Sequence, residues 1–97
     1  MDTIIRAAIA NKQLLSFSYH GLLRIVEPHV YGVQSGKYQL LCFQVRGQSS
    51  SGRLPDWRRI DLSQAQNLRI LDEYFPGRRP YPSGKHSSFD QQLAIVS

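Results

Sequence analysis

Apolar positions recur at helical spacing in the first dozen residues and then at a period of two as far as Leu71. Ile4, Ile5, Ala8 and Ile9 form one stripe while Arg6 and Lys12 fall elsewhere, which predicts a short helix capped by Asp2 or Thr3. From Leu14, Leu15, Phe17 and Tyr19 point one way and Leu14, Ser16 and Ser18 the other, the pattern of a strand. His20-Gly21 is a tight turn into a second strand, Leu22 to Glu27, and Pro28, which lacks an N–H, should stop it. Val30 to Val33 is a short extended piece, Gln34-Ser35-Gly36 is turn chemistry, and Lys37 to Val45 is the longest apolar strand. Its Leu41 and Phe43 oppose Leu40 and Cys42, so both of its faces should be covered.

Residues 46–55, RGQSSSGRLP, have loop composition and length enough to move. Alternation resumes from Asp56 to Leu62, with Trp57, Arg59 and Asp61 on one side and Arg58, Ile60 and Leu62 on the other. Leu68, Ile70 and Leu71 mark a last strand. Residues 74–85 carry three prolines, two glycines and Arg78-Arg79, the makeup of an extended arm. Beyond them Ser88 and Gln91 have capping-box spacing, and Phe89, Leu93 and Val96 share a helical face, so a docking element is expected at the C-terminus. The fold class that follows is mainly β with an N-terminal helix: a small SH3/Sm-like antiparallel β-barrel of about five strands over residues 1–75. Residues 76–97 would be a Pro/Gly-rich arm and docking segment.

Length limits what such a chain can be. Ninety-seven residues make one small domain, too short for a two-domain enzyme. No apolar run reaches the ~18 residues of a membrane helix and the start does not read as a signal peptide, so a cytoplasmic protein with no membrane partner is expected. The single cysteine, Cys42, has no disulfide partner and reads as a small core residue. The net charge of +5 comes mainly from nine arginines against three lysines, and arginine's planar fork suits phosphate and base stacking.

Chemistry-bearing positions narrow the classes further. Arg24, Arg58 and Arg59 sit on strands, where each must snorkel outward or meet partners in a groove. With Tyr38 and Tyr19 they supply phosphate grips beside stacking faces, the combination used by single-strand nucleic-acid platforms. The plainer alternative is a solvated strand face with Arg24 paired to Glu27 or Asp61. Glu27-Pro28 reads as structural, and Arg78-Arg79 as solvated charge. His20, His29 and His86 lack metal-ligand spacing, with or without Cys42, so neither a metal nor a cofactor is expected. Neither a Gly-x-Ser-x-Gly elbow nor a phosphate-loop ending appears, so the chain is expected not to be an enzyme.

Several segments together resemble the WYL domain, a bacterial family with an Sm-like, SH3-type β-barrel. These are Ile5-Arg6-Ala7-Ala8-Ile9, Leu15-Ser16-Phe17-Ser18-Tyr19, Arg24-Ile25-Val26-Glu27-Pro28, Gly36-Lys37-Tyr38-Gln39-Leu40 and Trp57-Arg58-Arg59. The likeness spans about residues 3–75 and is best at Arg24 with Glu27-Pro28, which looks like the family's Arg-x-x-Glu-Pro segment. Of the name-giving triplet only Tyr38 is kept, in Lys37-Tyr38-Gln39. The resemblance implies a regulatory, ligand-sensing module of the kind found in transcription regulators and in CRISPR and phage-defence contexts. The expected function is non-catalytic binding of single-stranded nucleic acid, in preference to duplex, or of a nucleotide-like anionic ligand through Tyr19, Arg24, Tyr38, Arg58 and Arg59. The competing class is a protein-interaction or oligomerisation module, whose C-terminal segment docks on a second copy or on a regulator.

Overall fold

The computed structural model describes residues 1–49, 52–80 and 89–97. One helix, α1 (Asp2–Asn11), precedes β1 (Gln13–Tyr19), β2 (Leu22–Gln34), β3 (Lys37–Gly47), β4 (Asp56–Asp61), a 3₁₀ turn (Leu62–Gln64), β5 (Ala65–Tyr74) and β6 (Gln91–Ile95). The protein is therefore mainly β with an N-terminal helix, as the periodicity predicts. Ile5, Ala8 and Ile9 are the buried stripe of α1. Its N-cap is Met1, which makes no side-chain cap. Asp2 is instead the first helical residue and accepts from Arg6 Nε and from the Tyr31 hydroxyl.

All strand pairings are antiparallel, in the order β4-β3-β2-β1-β5, with β6 added to β2. The turns at His20-Gly21 and Ser35-Gly36 each have two central residues at positive φ, the twist that two-residue hairpins demand. Inner-face residues of β1 to β4 and the helix stripe form the main core, which includes Leu15, Phe17, Val26, Leu40, Cys42 and Ile60. A second cluster of Val30, Leu41 and Phe89, with Trp57 against it, covers the other side of β3, so both faces of that strand are indeed covered.

The expected barrel is not closed: β4 and β5 are the two ends of an open sheet. The sheet is nonetheless strongly curled. Four residue steps from Asp61 to Ala65 span at most about 14 Å, whereas a flat five-strand sheet would hold its edges about 19 Å apart. The Asp61 amide on β4 also donates to the Tyr19 hydroxyl on β1 at 3.2 Å, joining strands that are three places apart in the sheet.

Two expectations about the chain's punctuation are overturned. Pro28 does not stop its strand, because β2 runs unbroken to Gln34 with a register shift between Pro28 and Val30. The irregularity accommodates the missing N–H, and the His29 carbonyl, released from β3, accepts the Val96 amide. The C-terminal element is a strand, not a helix. Gln91–Ile95 pairs with Val30–Val33 along the part of β2 that β1 does not reach, so the sheet has six strands and β5 is not the last. A free ladder edge outweighs the weak helical preference of so short a segment. Ser88, the expected cap, lies outside the described residues, whereas Phe89 and Val96 are buried.

Among the described residues no helix is long and apolar enough to cross a membrane.

Candidate functional site

Cross-strand pairing brings Arg24 and Arg58 together. Arg24 opposes Gly47 near the end of β3, Val26 opposes Gln44, and Cys42 opposes Arg58 on β4, so all these side chains share the inner face of the sheet. Gln44 is completely buried between the two arginines. Its Nε2 donates to the carbonyls of Arg46 and Gln48, at 3.2 and 2.9 Å, which fixes the amide with Oε1 toward the guanidinium groups. Arg24 Nη1 and Arg58 Nε each donate to that oxygen at 3.3 Å.

The two arginines differ in their other partners. Arg58 donates to Asp56 Oδ2 at 3.3 Å, Ser49 Oγ at 2.6 Å and the Arg53 carbonyl at 3.0 Å. Arg24 is only 6% exposed, lies 5.3 Å from the centre of the Tyr19 ring, and has a buried Nε with no hydrogen-bond partner. Neither Glu27 nor Asp61 pairs with it, so the plainer sequence alternative does not describe this residue. Burial, then the neighbouring Arg58 charge, lower the Arg24 pKa from its ordinary value. The same burial pushes the Cys42 thiol well above its usual range, consistent with an inert core thiol.

The remaining expected residues go elsewhere. Tyr19 borders the cluster, but its ring already stacks on His20 at 4.3 Å and meets Arg24, so it completes a wall more than it offers a free stacking face. Arg59 lies on the outer face, with its guanidinium 4.0 Å from the Phe89 ring centre and its Nε donating to Gln39 at 2.6 Å. Tyr38, at the other end of β3 from Gly47, lines a cleft of about 740 Å³. The five residues thus occupy three places, with Tyr19, Arg24 and Arg58 together.

Gln44 was not among the sequence candidates. Its signal was a lone amide at an inward position of the apolar run Leu40-Leu41-Cys42-Phe43-Gln44-Val45. Arg79 was also misplaced: it grips the buried Glu27 carboxylate with both ends of its fork, at 2.6 and 3.0 Å, and lies 4.4 Å from the Phe43 ring centre. Among the described residues no group of three or more His, Cys, Asp or Glu side chains converges as a metal site. No family model, curated protein or solved structure matches this chain.

Proposed function

We propose that the chain is a non-catalytic module that binds a nucleotide-like anionic ligand through Arg24 and Arg58. The observation that carries this reading is the sharing of one neutral oxygen, Gln44 Oε1, by two inward-facing guanidinium groups. Asp56 pairs with Arg58, whereas among the described residues Arg24 has only the neutral Gln44 oxygen, so a phosphate oxygen would supply a charge for Arg24 and an acceptor for its Nε. The curled sheet with its N-terminal helix, and the short 3₁₀ link from β4 to β5, support assigning it to the WYL-like, SH3/Sm-type barrels in an incompletely closed form.

A compact anion fits this arrangement better than an extended strand of nucleic acid. Arg24 is nearly buried, and the exposed ring of Tyr38 belongs to the other end of β3. The interaction-module reading is weakened by the C-terminal segment itself, because Phe89 and Val96 are buried against their own chain.

Titration calorimetry with pyrophosphate, a nucleoside diphosphate and a short single-stranded DNA, at low and high salt, tests the proposal. The diphosphates should bind saturably and weaken as salt rises, and Arg24→Ala should lower affinity about tenfold or more while remaining folded. Equal affinity of wild type and a folded Arg24/Arg58 double variant would remove the reading.

A further inference from the structure

The cleft that holds Tyr38 is chemically unlike the arginine cluster. It lies between the start of α1, the β2–β3 turn and the 3₁₀ turn, and its volume of about 740 Å³ is in the range of small-molecule sites. Tyr38 lines it and is 55% exposed, a large aromatic ring left in water. Behind it the buried ring of Tyr31 lies nearly parallel, with centroids 6.1 Å apart and planes 27° apart. The Tyr31 hydroxyl donates to Asp2 at 2.9 Å, so the second ring is anchored and Tyr38 is backed by a fixed aromatic surface.

The cleft carries two carboxylates, Asp61 and Asp2, beside Lys37 and the N-terminal residue Met1. Asp61 Oδ1 accepts from the Ser63 amide and hydroxyl, at 3.1 and 2.8 Å, which orients the carboxylate. Its Oδ2 lies 4.0 Å from Lys37 Nζ, a loose ion pair beyond hydrogen-bond distance. An ionised carboxylate accepts and never donates, so it selects a ligand edge that carries N–H groups. Asp2, the second carboxylate of the lining, is held by Arg6 and the Tyr31 hydroxyl, which leaves Asp61 as the acceptor that faces a ligand.

We infer that this cleft binds a planar nitrogen heterocycle bearing an exocyclic amino group, its face stacked on Tyr38 and its amino edge donating to Asp61. The site does not depend on the arginine cluster. An aliphatic amine would meet the carboxylate without using the exposed ring, and a heterocycle with a carbonyl in place of the amino group, as in uridine, could offer only a ring N–H flanked by two carbonyls that oppose the carboxylate.

Phosphate-free nucleosides separate this inference from the anion reading, because they cannot engage Arg24 and Arg58 as phosphates do. The full chain is titrated with adenosine, cytidine, uridine and spermidine and followed by calorimetry and amide chemical shifts. Adenosine and cytidine should bind saturably and shift the amides of Lys37, Tyr38 and Ser63, with uridine and spermidine at least tenfold weaker. Tyr38→Ala, at an exposed position, should lower nucleoside affinity about tenfold, and Asp61→Asn should erase most of the preference for cytidine over uridine. Circular dichroism verifies that both variants fold. Absence of saturable binding, equal binding of uridine or spermidine, or an unchanged affinity in folded Tyr38→Ala would each overturn the inference, whatever the diphosphate titrations give.

Discussion

Arg24 and Arg58, on strands two places apart in the sheet, donate to the same atom, Gln44 Oε1, each at 3.3 Å. The geometry predicts separate effects on folding and binding when that atom gains charge. Gln44→Glu places a carboxylate between two guanidinium groups but also sets an oxygen against the Arg46 and Gln48 carbonyls to which Nε2 donated, so the ion-pair gain is offset and stability should change by less than about 2 kcal/mol. It should also lower anion affinity at least tenfold by satisfying the arginines internally. Urea unfolding and diphosphate titration of the one variant measure both, and unchanged anion affinity would count against the arginine pair as the binding site.

Glu27 and Arg79 form a bidentate ion pair, with the carboxylate buried and the guanidinium 42% exposed. Arg79→Ala strands a buried carboxylate near His29, while the double change with Glu27→Gln removes the stranded charge. Because half of the pair is wet, the single variant should cost about 1–3 kcal/mol, below the ~3–5 kcal/mol of a fully buried pair. The double variant should recover part of that loss. A double-mutant cycle in urea reads the coupling directly.

These two clusters show what a single sequence discloses and what it hides. The helix stripe of Ile5, Ala8 and Ile9, the turns at His20-Gly21 and within Gln34-Ser35-Gly36, and the two-sided burial of β3 were legible, because each rests on residues close in sequence. The strand-stopping role given to Pro28 failed because an irregularity can absorb a missing N–H, and no local pattern announces one. Gln91–Ile95 was misread because five residues fit either period, and what decides is an open edge of β2 some sixty positions earlier. The same limit governed the site. Arg24 and Arg58 were recognisable by type and strand position, but the inward amide that joins them follows only from cross-strand register.

Below neutrality the buried His29 should govern stability. Burial lowers its pKa from the ordinary 6.5, opposed by Glu27 alongside and assisted by Arg79 and Arg78, while the rings of Trp57 and Phe75 pack around it. The unfolded chain therefore takes up this proton at higher pH than the folded one. The stability that His29 contributes is complete above its unfolded pKa and is lost as pH falls through that value toward the folded pKa. Asp2, Asp61 and Glu73, held below the ordinary carboxylate values chiefly by hydrogen bonds to Tyr31, Ser63 and Arg46, lose their contributions only at more acid pH. Urea midpoints from about pH 7.5 to about pH 5.5 should fall for wild type and fall less for a folded His29→Gln variant. Parallel slopes would assign the loss to other groups.

Gly32 should control the docking of the C-terminal strand. A Cβ at this position would lie 2.7 Å from Phe89 Cδ1 and would also crowd the Gln91 carbonyl, so the contact involves backbone as well as a side chain. Trimming Phe89 therefore cannot relieve it. Gly32→Ala should push β6 outward and cost about 1–3 kcal/mol, the usual range for overpacking. Two amides report the displacement: Val96 donates to the His29 carbonyl and Asp90 to the Val33 carbonyl, each at 2.9 Å. Both should lose most of their hydrogen-exchange protection in the variant, while amides in the β1–β2 ladder around Ser16 and Ile25 keep theirs. Removing residues 89–97 should then add little further destabilisation to Gly32→Ala, because the two changes undo the same contact. Full additivity, or unchanged protection at Val96, would show that β6 accommodates the methyl group without leaving β2.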